Sequence, residues 1–349
     1  MKLEEALQQI RPADRKAMEQ AWEHWNNIAI PLHSLGRLQD TVVRIAGMTG
    51  PARVNIGKKG LVVMCADTGV VEEGVTQSGQ EVTLIVSEIF LQEKATAGIL
   101  CRQAGVDIFP VDIGIATDSK IINRKIAYGT KNMVKEPAMT REEAVRAIEV
   151  GISMVEELKE KGYGILATGE MGIGNTTTSS AITSVLLDVD PEKVTGRGAG
   201  LSSEGLEKKI SAIKKSIKLH HPDKKDVVDV IAKVGGLDIA GLTGVFIGGA
   251  ALHMPVLADG FISCVAALCA IRMCPMVKDY VITSHKSKEP AANMILDAIG
   301  IPVFLDCDMC LGEGTGAVAV YPLIDMALAV YYGMCTFADN DMENYVPLT

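Results

Sequence analysis

The chain has 349 residues, 48% of them hydrophobic and 22% charged, enough for a large buried core in one domain or two. A net charge of −9 argues against a nucleic-acid-binding surface, which needs a basic footprint, but leaves room for phosphate held locally by a helix N-terminus and one or two lysines. With 4% aromatics and 34 glycines, the composition suits helices packed closely on a parallel sheet better than an all-β sandwich.

Residues 3–27 carry apolar positions at helical spacing (Leu3, Leu7, Ile10, Met18, Trp22) with a break at Pro12, predicting two helices. The segment is charged and amphipathic rather than an apolar export segment, so a cytoplasmic protein with reduced thiols is expected. A further helix is predicted from Gly36. The continuous apolar run Leu61–Ala66 then reads as a strand buried on both faces. Ile108–Val111, Gly164–Ala167, Tyr280–Thr283 and Ile301–Leu305 read similarly. Helical patterns alternate with them at Glu88–Gln103, Arg141–Lys161, Thr176–Leu187, Leu201–Leu219 and Asp226–Val234. Alternation of this kind predicts an α/β protein: a Rossmann-like parallel sheet with helices on both faces. The apolar region Gly235–Cys274 is interrupted by Asp238, His253, Pro255 and Asp259, so it reads as a pair of buried core helices rather than membrane spans. Tyr321–Phe337 is helical and apolar. Residues 1–50 with 323–349 are expected to form a small helical subdomain beside an α/β domain of residues 51–322.

Three glycine-rich segments carry the chemistry. Thr168–Thr178 (TGEMGIGNTTT) lies between a strand and a helix, a position that gathers backbone N–H groups and a helix N-terminus around a phosphate; a tight turn with an N-cap is the plainer alternative. It is neither a Walker A loop nor a G-x-G-x-x-G fingerprint. Thr195–Gly200 (TGRGAG) precedes a helix bearing Lys208 and Lys209, either phosphate ligands or a solvated face. Leu311–Ala317 (LGEGTGA) sets Glu313 between glycines after the expected strand Ile301–Leu305, where a carboxylate can serve as a general base or simply cap a helix. Cys307-x-x-Cys310 has no second pair to complete a zinc site. These two cysteines, like Cys264, Cys269 and Cys274, read as core thiols, and no metal is expected.

Eight segments in order, SLGRL from Ser34, ADTGVVEEGVTQSGQEVT from Ala66, GEMGIGNTT from Gly169, TGRGAG from Thr195, GGLDIA from Gly235, LADGF from Leu257, SHKSKEP from Ser284 and LGEGTGA from Leu311, resemble the nicotinate-nucleotide–dimethylbenzimidazole phosphoribosyltransferase family. The resemblance implies that Glu170, Gly172, Gly174, Asn175, Lys209 and Ser287 hold the nucleotide and its phosphate. It implies Glu313 as the base, and Gln80, Thr76 and Leu311 around the acceptor. It also implies transfer of phosphoribose from nicotinate mononucleotide to a benzimidazole-like base with no cofactor, in cobamide assembly, by a homodimer. The chain departs from the family at Thr68 (usually His), at Ser78 and Gly79 (usually an aromatic and Pro) and at Cys310 (usually Arg). Those departures fall around the base pocket, so a purine or phenol acceptor stays open. So does a catalytically silent nucleotide binder.

Overall fold

The computed structural model describes residues 1–345; the last four of the expected terminal subdomain lie outside the described part. Three helices open the chain, α1 (Leu3–Gln9), α2 (Arg15–Asn27) and α3 (Arg37–Thr49). Then come β1 (Lys58–Ala66), α4 (Glu81–Phe90), α5 (Thr96–Ala104), β2 (Val106–Gly114) and the two-residue β3 (Ile122–Asn123). The middle holds α6 (Arg141–Glu160), β4 (Tyr163–Met171), α7 (Asn175–Leu187), the single-turn α8 (Pro191–Val194), α9 (Ser203–His220), α10 (Val227–Val234) and α11 (Leu237–Ala251). The chain continues through β5 (Val256–Ala258), α12 (Phe261–Met273), β6 (Val281–Thr283), α13 (Ala292–Ile299) and α14 (Thr315–Gly333).

All six strands pair in parallel, in the order β3–β2–β1–β4–β5–β6. Chain direction across the sheet reverses between β1 and β4, the switch point at which doubly wound sheets bind ligands beyond their carboxyl ends. Helices cover both faces. Met64 of β1 and Ile113 of β2 meet Gly241 of α11, whereas Leu61 of β1 meets Gly314 at the start of α14. Positions 61 and 64 differ by an odd number, so their side chains leave opposite faces of the strand. The buried runs in β1 and β4 are continuous rather than alternating, as a doubly covered strand requires.

Glycine draws α6 and α11 together. A Cβ on Gly151 would sit 1.9 Å from the Gly241 carbonyl oxygen, and one on Gly244 would sit 1.9 Å from that of Ile148. Every residue of α11 is buried and α12 is buried through Ala270, so these two apolar helices are core, as the interruptions by Asp238, His253, Pro255 and Asp259 suggested.

Three expectations need correction. Glu88–Gln103 is not one helix: α4 ends at Phe90, and α5 begins at Thr96 after a turn in which Glu93 adopts a left-handed φ of 52°. Ile301–Leu305 is not a strand; only Leu305 bridges, to His285, and Pro302 has no N–H for a ladder. Two strands were not anticipated, the two-residue β3 and β5, the latter three residues hidden inside the apolar region read as two helices.

The chain ends meet. Ile28 and Thr336 bridge, the Phe337 N–H donates to the Asn27 carbonyl (3.0 Å), and His24 Nε2 contacts the Tyr331 carbonyl (2.6 Å). We propose that residues 1–50 and the described part of 323–349 act as a helical unit. It shares α14 with the α/β part, since that helix runs on through position 322, while α1 lies on α6 and α11. By length and composition α14 could cross a bilayer; in the fold it packs on α3, α5 and β4, and Tyr321 donates its hydroxyl hydrogen to the Gly60 carbonyl (3.0 Å).

Candidate active site

A cavity of about 380 Å³ opens beyond the carboxyl ends of β4, β5 and β6. The segments leaving those strands form much of its wall: Glu170–Thr176, Asp259–Ser263 and the loop bearing His285, Ser287 and Glu289. Loops at 75–78, 197–201 and 310–313 complete it. Two helix N-termini, those of α7 and α12, therefore face one space, and their partial positive charges suit an anion.

Gly174 makes the approach to α7 possible. Its φ of 95° lies in the left-handed region, and an added Cβ would stand 2.4 Å from Thr68 Oγ1. Lys209 reaches in from α9 and is 1% exposed, which decides against a solvated face. Its Nζ donates to Thr176 Oγ1 at 2.7 Å. Burial lowers its pKa to about 8, against the opposing charge of Glu289. A buried ammonium this poorly compensated favours an incoming anion. Lys208, by contrast, is exposed and pairs with Glu204 at 2.9 Å. Ser287 is buried on the same wall, its Oγ accepting from the Glu289 N–H at 3.4 Å.

Across the cavity stands a set of acids. Glu313 takes a left-handed φ of 60° between two glycines, and its N–H donates to Glu170 Oε1 at 3.3 Å. It introduces α14 rather than following a strand, which corrects its expected setting. Burial raises its pKa; the Ala97 N–H at the start of α5 works the other way. Among the described residues, its Oε2 is buried without a hydrogen-bond partner. Asn175 gives its amide N–H groups to Glu170 Oε2 and, at 2.9 Å, to Asp238 Oδ2. Burial pushes the Glu170 carboxyl well above its ordinary range and the Asp238 carboxyl up to about 6.

The cavity thus gathers Glu170, Gly172, Gly174, Asn175, Lys209, Ser287, Thr76, Leu311 and Glu313. Gln80 is turned elsewhere: its Nε2 donates to the Thr68 carbonyl at 3.0 Å, fastening the loop before α4. Thr76 Oγ1 donates to the Ser78 carbonyl at 2.8 Å, and Leu311 is 55% exposed at the rim. Cys307 and Cys310 are exposed, not core, because the segment expected as a strand is a surface loop; Cys264, Cys269 and Cys274 are buried as expected.

Sequence reasoning quoted but gave no role to Asp238, Asp259, His285 and Glu289. Asp259 accepts from the Gly314 N–H (3.2 Å) and the Ala317 N–H (3.0 Å), holding the start of α14, and lies 3.8 Å from His285 Nδ1. The signal available was an acid or histidine inside GGLDIA, LADGF and SHKSKEP, segments otherwise apolar or loop-like.

Fold and cavity together define an α/β enzyme whose ligand space, beyond the carboxyl ends of the strands, suits an anion. A family model described as a phosphoribosyltransferase matches residues 10–342. The nicotinate-nucleotide–dimethylbenzimidazole phosphoribosyltransferase of Clostridium tetani is 46% identical over 97% of this chain and 94% of its own length. That of Acetivibrio thermocellus is 47% identical over 98% and 99%. A crystal structure of CobT from Thermus thermophilus superposes with a TM-score of 0.89 at 35% identity, covering 95% of this chain and all of that one. The chain belongs to the nicotinate-nucleotide–dimethylbenzimidazole phosphoribosyltransferase family.

Proposed function

We propose that the chain transfers the phosphoribosyl group of nicotinate mononucleotide to 5,6-dimethylbenzimidazole or a similar base, giving nicotinate and an α-riboside 5′-phosphate for cobamide assembly. The observation that carries this reading is the pairing, in one cavity, of a buried lysine beside two helix N-termini with a carboxylate whose pKa burial has raised. Lys209, Ser287 and the glycine loop Gly172–Gly174 hold the phosphate, and Asn175 and Glu170 meet the ribose. The donor's ring nitrogen is quaternary, so nicotinate departs without a proton from the enzyme. One ring nitrogen of the acceptor attacks through its free lone pair while the other loses its proton, and Glu313 takes that proton. Attack from the face opposite the leaving group inverts the anomeric carbon. Holding both substrates in line supplies much of the rate.

A homodimer in the cytoplasm belongs to the same reading. Large apolar side chains stand exposed on neighbouring elements, Ile85 on α4, Ile99 on α5, and Met326 and Tyr332 on α14, and light scattering of the purified chain checks the dimer. All eight cysteines are free, which suits a reducing compartment.

To test the reaction, the protein is incubated with nicotinate mononucleotide and 5,6-dimethylbenzimidazole, then with adenine or a phenol instead. Nicotinate release matched by α-riboside phosphate is the expected result. Nucleotide binding with no transfer to any acceptor would leave a silent binder.

A further inference from the structure

We propose that Glu289 is the resident counter-ion of the phosphate subsite: its carboxylate balances Lys209 in the empty cavity, and it takes up a proton from water when the donor's phosphate enters. This rests on the phosphate reading of Lys209 and goes beyond it. Glu289 follows Ser287 in the loop after β6, on the wall that Lys209 reaches from α9. Its Oε2 is buried and, among the described residues, lacks a hydrogen-bond partner. It is wedged against the TGRGAG loop, where a Cβ on Gly196 would stand 1.9 Å from that oxygen. Two things keep the carboxylate charged against the cost of burial: the Lys209 ammonium and the Gly198 N–H. Glu289 in turn holds up the lysine's charge.

The other ionisable groups on the cavity wall are Arg197 in the loop before α9, His285 in Glu289's own loop with Asp259 3.8 Å from it, and Glu170 and Glu313. Arg197 is engaged by the Leu201 carbonyl (2.7 Å) and Ser203 Oγ (3.1 Å). Lys209 is thus the cation Glu289 relies on. A phosphate dianion seated on Lys209 claims that charge and adds its own negative field. Burial then acts on Glu289 with only the Gly198 N–H opposing it, and the neutral acid becomes the favoured form. Donor and phosphorylated product both impose this state, so the proton stays through turnover and leaves with the product.

Linkage makes the idea measurable. A site that takes up one proton with its ligand binds that ligand up to about tenfold more weakly for each pH unit of rise. The wild-type chain is titrated with nicotinate mononucleotide alone, by calorimetry at pH 7 in two buffers of different ionisation enthalpy, and Kd is followed from pH 6.5 to 7.5. Lys209, at about 8, is mostly charged at pH 6.5 but increasingly neutral toward pH 7.5, so its own uptake adds to the wild-type signal and only the part lost in the variant belongs to Glu289. The donor's own phosphate, with its second pKa of about 6, contributes equally to wild type and variant. Expected are net proton uptake and a rising Kd in the wild type, and a flatter Kd with less uptake in Glu289→Gln. Donor binding without proton uptake in the wild type overturns the counter-ion role and leaves the phosphate site standing; this arm needs no variant. Equal pH slopes in the two proteins also overturn it. Absence of donor binding by the wild type sinks the phosphate reading and this proposal with it.

Discussion

At one end of the cavity Lys209 rides on the eighteen-residue helix α9, Asn175 begins α7, and Gly172 and Gly174 are pinned by the backbone of β1 and by Thr68. At the other end Thr76, Ser78, Cys310 and Leu311 stand on loops, half-buried or exposed. The first end is held by the regular structure of the sheet and its helices, which fixes positions to the precision of packed secondary structure. The second is held by turns, such as the Thr76–Ser78 hydrogen bond, and by single bonds to neighbouring loops, from Gln77 Nε2 to the Gly200 carbonyl and from the Lys288 N–H to the Met309 carbonyl (3.1 Å). Loops on a rigid scaffold change at little cost to the fold. Of the positions where departures from the family are expected, Ser78, Gly79 and Cys310 stand at this looser end, while Thr68 is buried against Gly174 at the first.

Glu313 spans the two ends, and breaking it has the largest expected effect. Glu313→Gln keeps the shape and the N–H bond to Glu170, so both substrates should still bind. Turnover should fall by roughly a hundred- to ten-thousand-fold, the range for loss of a general base. Single-turnover rates decide this, and a near-wild-type rate removes Glu313 from the role.

Lys209→Ala tests the rigid end alone. A charged hydrogen bond is worth ~1.5–3 kcal/mol, so KM for the nucleotide should rise roughly ten- to a hundredfold with KM for the base little moved. Equal changes in both would mean that the two ends are mechanically coupled.

Asp238 lies deeper under the nucleotide end, and its effect is on stability with pH. Its carboxyl titrates at about 6 in the fold against an ordinary 3.8. Between those values the native state retains a proton that the unfolded chain has lost. Asp238 therefore makes stability fall as pH rises from about 4 to about 6. Asp238→Asn should flatten that decline while keeping an oxygen for the Asn175 amide. Thermal unfolding of both proteins at pH 4.5, 6 and 7.5 measures it, and parallel curves would contradict the assignment.

The same contrast explains how much was legible in the sequence. Long doubly buried strands such as β1 and β4 announce themselves as unbroken apolar runs, and the glycine loop after β4 could be placed on them directly. β5 was not legible, because three apolar residues between two apolar helices leave no change of period. Glu289 and Asp238 were not legible as site residues either. Their importance comes from burial beside partners far away in sequence, Lys209 for one and Asn175 for the other. Gln80 shows the converse: it sits in a matching motif, yet its side chain serves the backbone at Thr68.

Leu311 offers the smallest and most discriminating test of the comparison. Half of its side chain faces solvent, so shortening it removes only part of the ~1.5–3 kcal/mol that full burial of a leucine contributes. An acceptor resting against the buried part would lose roughly two- to fivefold in KM on Leu311→Ala. KM for nicotinate mononucleotide should change less, because Leu311 is exposed at the rim whereas Lys209 is buried, and folding should be unaffected at so exposed a position. The experiment compares both KM values for 5,6-dimethylbenzimidazole and for adenine. A larger loss for the dimethylated base would mean that its methyl groups lie on Leu311, so that the rim reads the acceptor's substituents. If donor KM rises instead, the rim belongs to the nucleotide end, and the division of the cavity into a rigid and a variable half fails at its most exposed residue.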